Sequence, residues 1–208
     1  MSRRPQQQPA LRARGAVALG ALALAALTPW ACVEPAKFDS TTYLRRQIAL
    51  HADSQLAGSI GIPFELDPEI RSVLERELRP VGDPRTRVAR ILDFIFRDLD
   101  LEYRLSPTLD ANDAFRERHG NCLSFVHLFV AAGRHMRLDP FYLEVSDQQR
   151  WDHRQGMVVS QGHIVAGLYL DGELQTYDFL PYRVKSYREF EPIDDLTATA
   201  HFYNNLGA

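Results

Sequence analysis

Cys122 is one of two cysteines in the 208-residue chain, and its setting, Arg118 to Met136 (RHGNCLSFVHLFVAAGRHM), suits a thiol that reacts. Gly120 is a breaker and Asn121 a helix cap, and an apolar run follows at once. Phe125, Phe129, Ala132 and Met136 recur at steps of three and four, and the stripe continued backwards meets Cys122. The spacing predicts a helix with the cysteine in its first turn, on the face toward the rest of the domain. Unpaired N–H groups and the positive end of the helix dipole stabilise an anion at that position. The commoner use of such a cysteine is as a small core residue, so the reading turns on a base downstream.

A base lies in the only strong hairpin signal of the chain. Gly162 to Leu170 and Glu173 to Leu180 read as strands joined by Asp171-Gly172. With a two-residue turn, Leu170 faces Glu173, Val165 faces Asp178 and His163 faces Leu180. His163 and Asp178 are then diagonal neighbours on one face, within reach of an imidazole and a carboxylate. A register slip of one residue would separate them. In a thiol enzyme the carboxylate holds the imidazole tautomer and the imidazole takes the thiol proton. Taken singly, His163 reads as a satisfied core histidine and Asp178 as a strand-end residue. Of the seven histidines, His119 points away from the helix face, His127 and His135 lie off the cysteine stripe, and His153 has no paired acid. With no HExxH, no CxxC and no second cysteine at ligand spacing, neither a metal nor another cofactor is expected.

The elements that would hold these residues follow from pattern. Asp67-Pro68 and Asp83-Pro84 each start a helix, with aspartate at the cap and proline in the first turn. Ile70, Val73, Leu74 and Leu78 form one apolar face; Val88, Ile91, Leu92, Ile95 and Phe96 form the other. A short extended piece, Leu101 to Leu105, and a turn or two of helix from Asp110 to Arg118 precede the cysteine helix. After Asp139-Pro140 the period changes: Phe141, Leu143 and Val145 alternate with Tyr142 and Glu144. Ser146 to Gln161, with Trp151, His153 and Arg154, reads as a long polar loop. Helices first and strands later imply an α+β domain with an antiparallel sheet packed on helices.

The N-terminus has the layout of a secretory signal over residues 1–31: a basic head (Arg3, Arg4, Arg12, Arg14) and an uncharged run from Gly15 to Pro29. Cys32 follows Ala31, where bacterial lipoprotein signals place the lipidated cysteine, although Pro29 and Trp30 depart from the usual pattern. Lipidation at Cys32, simple cleavage nearby, and an uncleaved anchor are the alternatives, in that order. The expected product is exported, periplasmic or tethered to a membrane through its lipid. Removing the four arginines from 24 basic residues leaves 20 against 27 acids, a net charge of −7, which argues against nucleic acid as a partner. Cys122 would then be an unpaired thiol in a compartment that favours disulfides. Residues 32–64 read as a tether, 65–190 as the domain and 191–208 as a C-terminal helix.

GNC opening an apolar helix, a strand beginning with histidine, a DG turn and a strand ending in aspartate together resemble the transglutaminase-like branch of the papain-like fold, over roughly Val88 to Leu180. The resemblance implies Cys122 as nucleophile, His163 as base and Asp178 as orienting residue, acting on amide or peptide bonds of a peptide or protein substrate through a thioester. It also implies an oxyanion hole using the Cys122 N–H, with Tyr103 as a second donor by analogy. Asp178 is followed by Phe179 rather than proline, which leaves the substrate open. Some members are inactive, so a non-catalytic domain binding an envelope peptide or partner protein is the alternative. At the end of the chain, Tyr203, Leu206 and Gly207 resemble positions of a tetratricopeptide repeat. One partial repeat cannot bury its own face; either the chain is a fragment of a longer protein, or this helix docks back on the domain.

Overall fold

In the computed structural model, residues 40–79, 82–154, 157–181 and 187–207 are described, with side chains described outside 40, 147–154 and 157–162. Cys32 and the leader lie outside these residues. Ser40–His51 forms α1 and Ser54–Ala57 a short α2. Leu44 and Ile48 of α1 are buried, as are Ile62, Phe64 and Leu66 beyond it. The segment expected to be a tether therefore contributes to the core, because its sparse apolar residues fall on one face of a helix.

Both Asp-Pro pairs start helices, α3 (Pro68–Leu78) and α4 (Pro84–Asp93). Asp83 accepts the Thr86 N–H at 3.0 Å as a side-chain cap. Asp67 makes no such bond; its carboxylate pairs with Arg116 instead. After Val88 and Ile91 of α4, Phe94–Asp98 continues as one wide π-helical turn, closed by Leu99 N–H on the Phe94 carbonyl at 2.8 Å. The extra residue in that turn rotates the apolar face. Phe94 and Ile95 stay buried, whereas Phe96, expected on the core face, is 47% exposed.

Next come β1 (Glu102–Tyr103), α5 (Ala111–Glu117), β2 (His119–Gly120) and α6 (Cys122–His135). The parallel pairing of Tyr103 with Gly120 joins β1 to β2 immediately before α6. Every residue from Leu123 to Gly133 is buried, so α6 is a central helix rather than an amphipathic one with a single stripe. His127 is inside with the rest: its Nδ1 is 2.9 Å from the Tyr142 hydroxyl, and burial pushes its pKa down to about 3.

The sheet is antiparallel with order β5-β4-β3-β6, from β3 (Phe141–Arg154), β4 (Met157–Leu170), β5 (Glu173–Tyr177) and β6 (Phe190–Ile193). The expected loop from Ser146 to Gln161 is instead the outer part of a long hairpin, paired from Arg150↔Gln161 to Arg154↔Met157 beyond an irregularity after Val145. Polar strand residues carry no alternation signal when neither face is apolar, which is why this stretch looked unpatterned. Tyr142, placed on the polar face by its alternation, is fully buried with α6, while Leu143 and Val145 fill a second cluster with Val165 on the opposite face. The inner strands bury both faces.

The last helix, α7 (Asp195–Leu206), docks on the domain. Ala198, Thr199 and Phe202 are buried, the Tyr203 hydroxyl donates to the Gly61 carbonyl at 3.0 Å, and Arg134 grips Asp195 through two bonds of 2.8 Å.

Candidate active site

Cys122 is held in place from behind. Asn121, the residue before α6, accepts the Ser124 N–H at 3.0 Å and the Ser124 hydroxyl at 3.1 Å on its Oδ1. Its Nδ2 donates to Thr108 Oγ1 at 2.6 Å, and the Ser124 hydroxyl in turn accepts the Leu109 N–H at 2.8 Å. Gly120 is required by this packing, since a Cβ there would stand 2.5 Å from Ser124 Cβ. The cap thus ties the start of α6 to the 105–109 loop, and the Cys122 thiol is left partly exposed at the helix N-terminus. An anion there meets unpaired N–H groups and the favourable end of the dipole.

The hairpin supplies the base. Asp171 and Gly172 both have positive φ, 55° and 83°, as a tight two-residue turn requires. The register is the one the turn implies, from Leu170↔Glu173 to Ala166↔Tyr177. The ladder stops there, so Asp178 lies one residue past β5 rather than inside a strand. Its Oδ1 is nonetheless 3.1 Å from His163 Nε2 and accepts the Leu180 N–H at 3.1 Å. What anchors Asp178 is its neighbour: Phe179 is buried against Phe125 and Phe129 of α6, at ring separations of 6.0 and 5.6 Å, and stacks on Phe96 at 5.9 Å. The residue that stands where the family resemblance expected proline is thereby the bolt between the hairpin and the cysteine helix.

His163 is buried, and the Cys122 thiol is among the neighbouring groups that raise its pKa. Its Nε2 faces Asp178 Oδ1 and the Tyr187 hydroxyl. Burial disfavours the imidazolium, but hydrogen bonds to Asp178 and Cys122 and the charges on both outweigh it and raise the pKa to about 9. Asp178 is likewise half-buried; bonds from His163 and Tyr187 overcome the desolvation and hold its pKa below the usual carboxylate value. The imidazolium is therefore the favoured form of His163 at neutral pH, held beside the Asp178 carboxylate.

The structure places Asp178 3.1 Å from His163, with Cys122 near enough to act on the imidazole. Tyr103 is brought to the same end of α6, its ring edge-on to Phe125 at 6.2 Å. His119 is 3.0 Å from Glu117 and His135 is 3.5 Å from Glu75, both outside the cluster. One residue of the site had no sequence signal. The Tyr187 hydroxyl donates to Asp178 Oδ2 and is 3.0 Å from His163 Nε2. It lies on the irregular segment before β6, where no periodicity or motif marks it.

The family model of the transglutaminase-like superfamily matches residues 72–179, just over half of the chain. The chain belongs to the transglutaminase-like superfamily. The match begins in α3 and ends at Phe179, so it contains all three residues of the Cys122–His163–Asp178 cluster. Two solved structures are also similar. One is a candidate cysteine protease from Cytophaga hutchinsonii, 18% identical, with a TM-score of 0.41 over 62% of this chain and 43% of that one. The other is a candidate protease from Parabacteroides distasonis, 15% identical, with a TM-score of 0.40 over 66% and 25%. The chain thus spans less than half the length of either. No curated protein matches it. Superfamily membership covers the α+β fold with a cysteine helix packed on an antiparallel sheet.

Proposed function

We propose that this protein is a cysteine hydrolase or acyltransferase acting on amide or peptide bonds through Cys122, His163 and Asp178. The observation that carries the reading is the meeting of a thiol at a helix start with an imidazole whose far nitrogen is 3.1 Å from a carboxylate. The Cys122 sulfur, as thiolate, attacks the carbonyl carbon, and the carbonyl electrons move to oxygen. The Cys122 N–H and the helix dipole stabilise that oxyanion, with the Tyr103 hydroxyl assigned as the second donor. As the tetrahedral intermediate collapses, the C–N bond breaks and the leaving amine takes the proton from His163 Nδ1. A thioester remains. Water or a second amine then attacks it, His163 accepts the incoming proton, and the thiol group is released as the thiolate–imidazolium pair.

The test is acylation by a nitrophenyl ester. Wild type should release a burst of nitrophenolate equal to the enzyme concentration and carry the acyl group on Cys122 by mass spectrometry. Cys122→Ser should show neither. Absence of both burst and adduct in the wild-type protein would replace this reading with a non-catalytic domain that grips an envelope peptide. We propose in addition that the site works outside the cytoplasm, tethered through a lipid on Cys32. A mature protein from a Gram-negative host should then partition into detergent with a diacylglyceryl mass on its first residue; a water-soluble product of unmodified mass excludes the tether.

A further inference from the structure

The side chain of Tyr187 makes a closed triangle with the two residues that sit behind the thiol. Its hydroxyl donates to Asp178 Oδ2, Asp178 Oδ1 lies 3.1 Å from His163 Nε2, and the hydroxyl oxygen is 3.0 Å from the same nitrogen. A phenol has one proton to give, and the carboxylate has none. The tyrosine proton therefore goes to Oδ2, and the oxygen turns a lone pair toward Nε2. Two acceptors, Oδ1 and the phenol oxygen, then face that nitrogen, so Nε2 must carry a proton. In the neutral ring Nδ1 is then the nitrogen without a proton, free to act as the base. The ring of Tyr187 packs 5.7 Å from His163 and joins the cluster of Leu143, Val145 and Val165, which fixes where the hydroxyl points. With Leu180 N–H on Oδ1, both carboxylate oxygens are committed, and rotation of the Asp178 carboxylate breaks at least one bond.

We propose that Tyr187 is a positioning residue of the reaction, acting through Asp178 to hold His163 in the tautomer and orientation that accept the thiol proton. The inference rests on the reading of His163 as the base. It assigns the site a fourth member, which acts on the base through the Asp178 carboxylate.

The experiment compares rates of Cys122 alkylation by iodoacetamide in the intact protein, at about pH 6 and about pH 10, where an ordinary thiol is respectively protonated and ionised. Tyr187→Phe keeps the ring and its packing but removes the hydroxyl. The rate near pH 6 should fall by roughly five- to tenfold, as expected for a hydrogen bond to a charged group partly replaced by water, with no change near pH 10. Because Tyr187 acts through Asp178, the same change made in an Asp178→Asn background should have less than about a twofold further effect. A tyrosine that only packs would leave the ratio of the two rates untouched; that result, or a full additional loss in the double variant, overturns the proposal. A rate near pH 6 that depends on His163 but ignores Tyr187 sinks Tyr187 alone, whereas one that ignores His163 as well sinks the base. Should Tyr187→Phe unfold, long-range 15N–1H spectra of the wild-type histidines carry the test. A His163 Nε2 proton protected from solvent exchange supports the triangle, and a rapidly exchanging one overturns it.

Discussion

Replacing His163 with alanine is expected to move alkylation of Cys122 to the pH range of an ordinary thiol, centred at about pH 8.5. In the wild-type protein the imidazole is cationic up to about pH 9, so throughout the neutral range it stands as a positive partner for the sulfur. Labelling by iodoacetamide should persist near pH 6, where an unassisted thiol reacts roughly three-hundredfold more slowly than when fully ionised. The alanine variant should lose most of that acid-side reactivity and none of the rate at high pH. Asp178→Ala should produce a smaller loss, because the carboxylate supports the imidazolium without touching sulfur. A thiol that resists alkylation in the folded protein at every pH is a structural cysteine. A curve centred near pH 8.5 and indifferent to His163 leaves an accessible cysteine without a triad.

The second large effect is expected from Phe179→Ala. Phe179 is 4% exposed and touches three other rings, two of them on α6. Deleting it leaves a cavity between hairpin and helix and should cost about 3–5 kcal/mol, a large share of the roughly 5–15 kcal/mol of a typical domain. Urea denaturation should show a lower midpoint with an unchanged slope. In the surviving folded protein, alkylation near pH 6 should also slow, since Asp178 is tethered by the residue that was removed. Phe179→Leu should recover most of the stability and the labelling together. A loss below about 1 kcal/mol would mean that the aromatic contacts are incidental and that the Leu180 N–H, not Phe179, places the carboxylate.

Much of this site could be read from the chain because it is local in sequence. The Asp-Gly turn sets a register by itself, and the pairing of Leu170 with Glu173 carries through to Ala166 and Tyr177 without a bulge. The Gly-Asn-Cys start of α6 is similarly local, since Asn121 caps within one turn. Tyr187 was not legible because no periodicity or motif marks it, and its role depends on meeting His163 and Asp178 in space. Tyr142 was misplaced for a related reason: a polar atom among apolar residues reads as surface until its partner is known, and that partner is His127 Nδ1 at 2.9 Å. The outer hairpin was missed because the strand signal is a contrast between two faces. Phe96 was expected inside because the helical period was continued through a turn that has one residue more.

The separation of the site's parts along the chain has a kinetic meaning. His163 and Asp178 are 15 residues apart and meet by closing one hairpin, an event of about 1–10 μs once the strands pair. Cys122 comes from a helix that precedes both β3 and β4, and it reaches the imidazole only after α6 has buried its whole circumference. The imidazole and its carboxylate can therefore be in register while the sulfur is still an ordinary thiol. Acid-side reactivity is then expected to be a late property of the folding chain. Followed by quenched labelling during refolding, it would time the docking of α6, separately from the formation of the sheet.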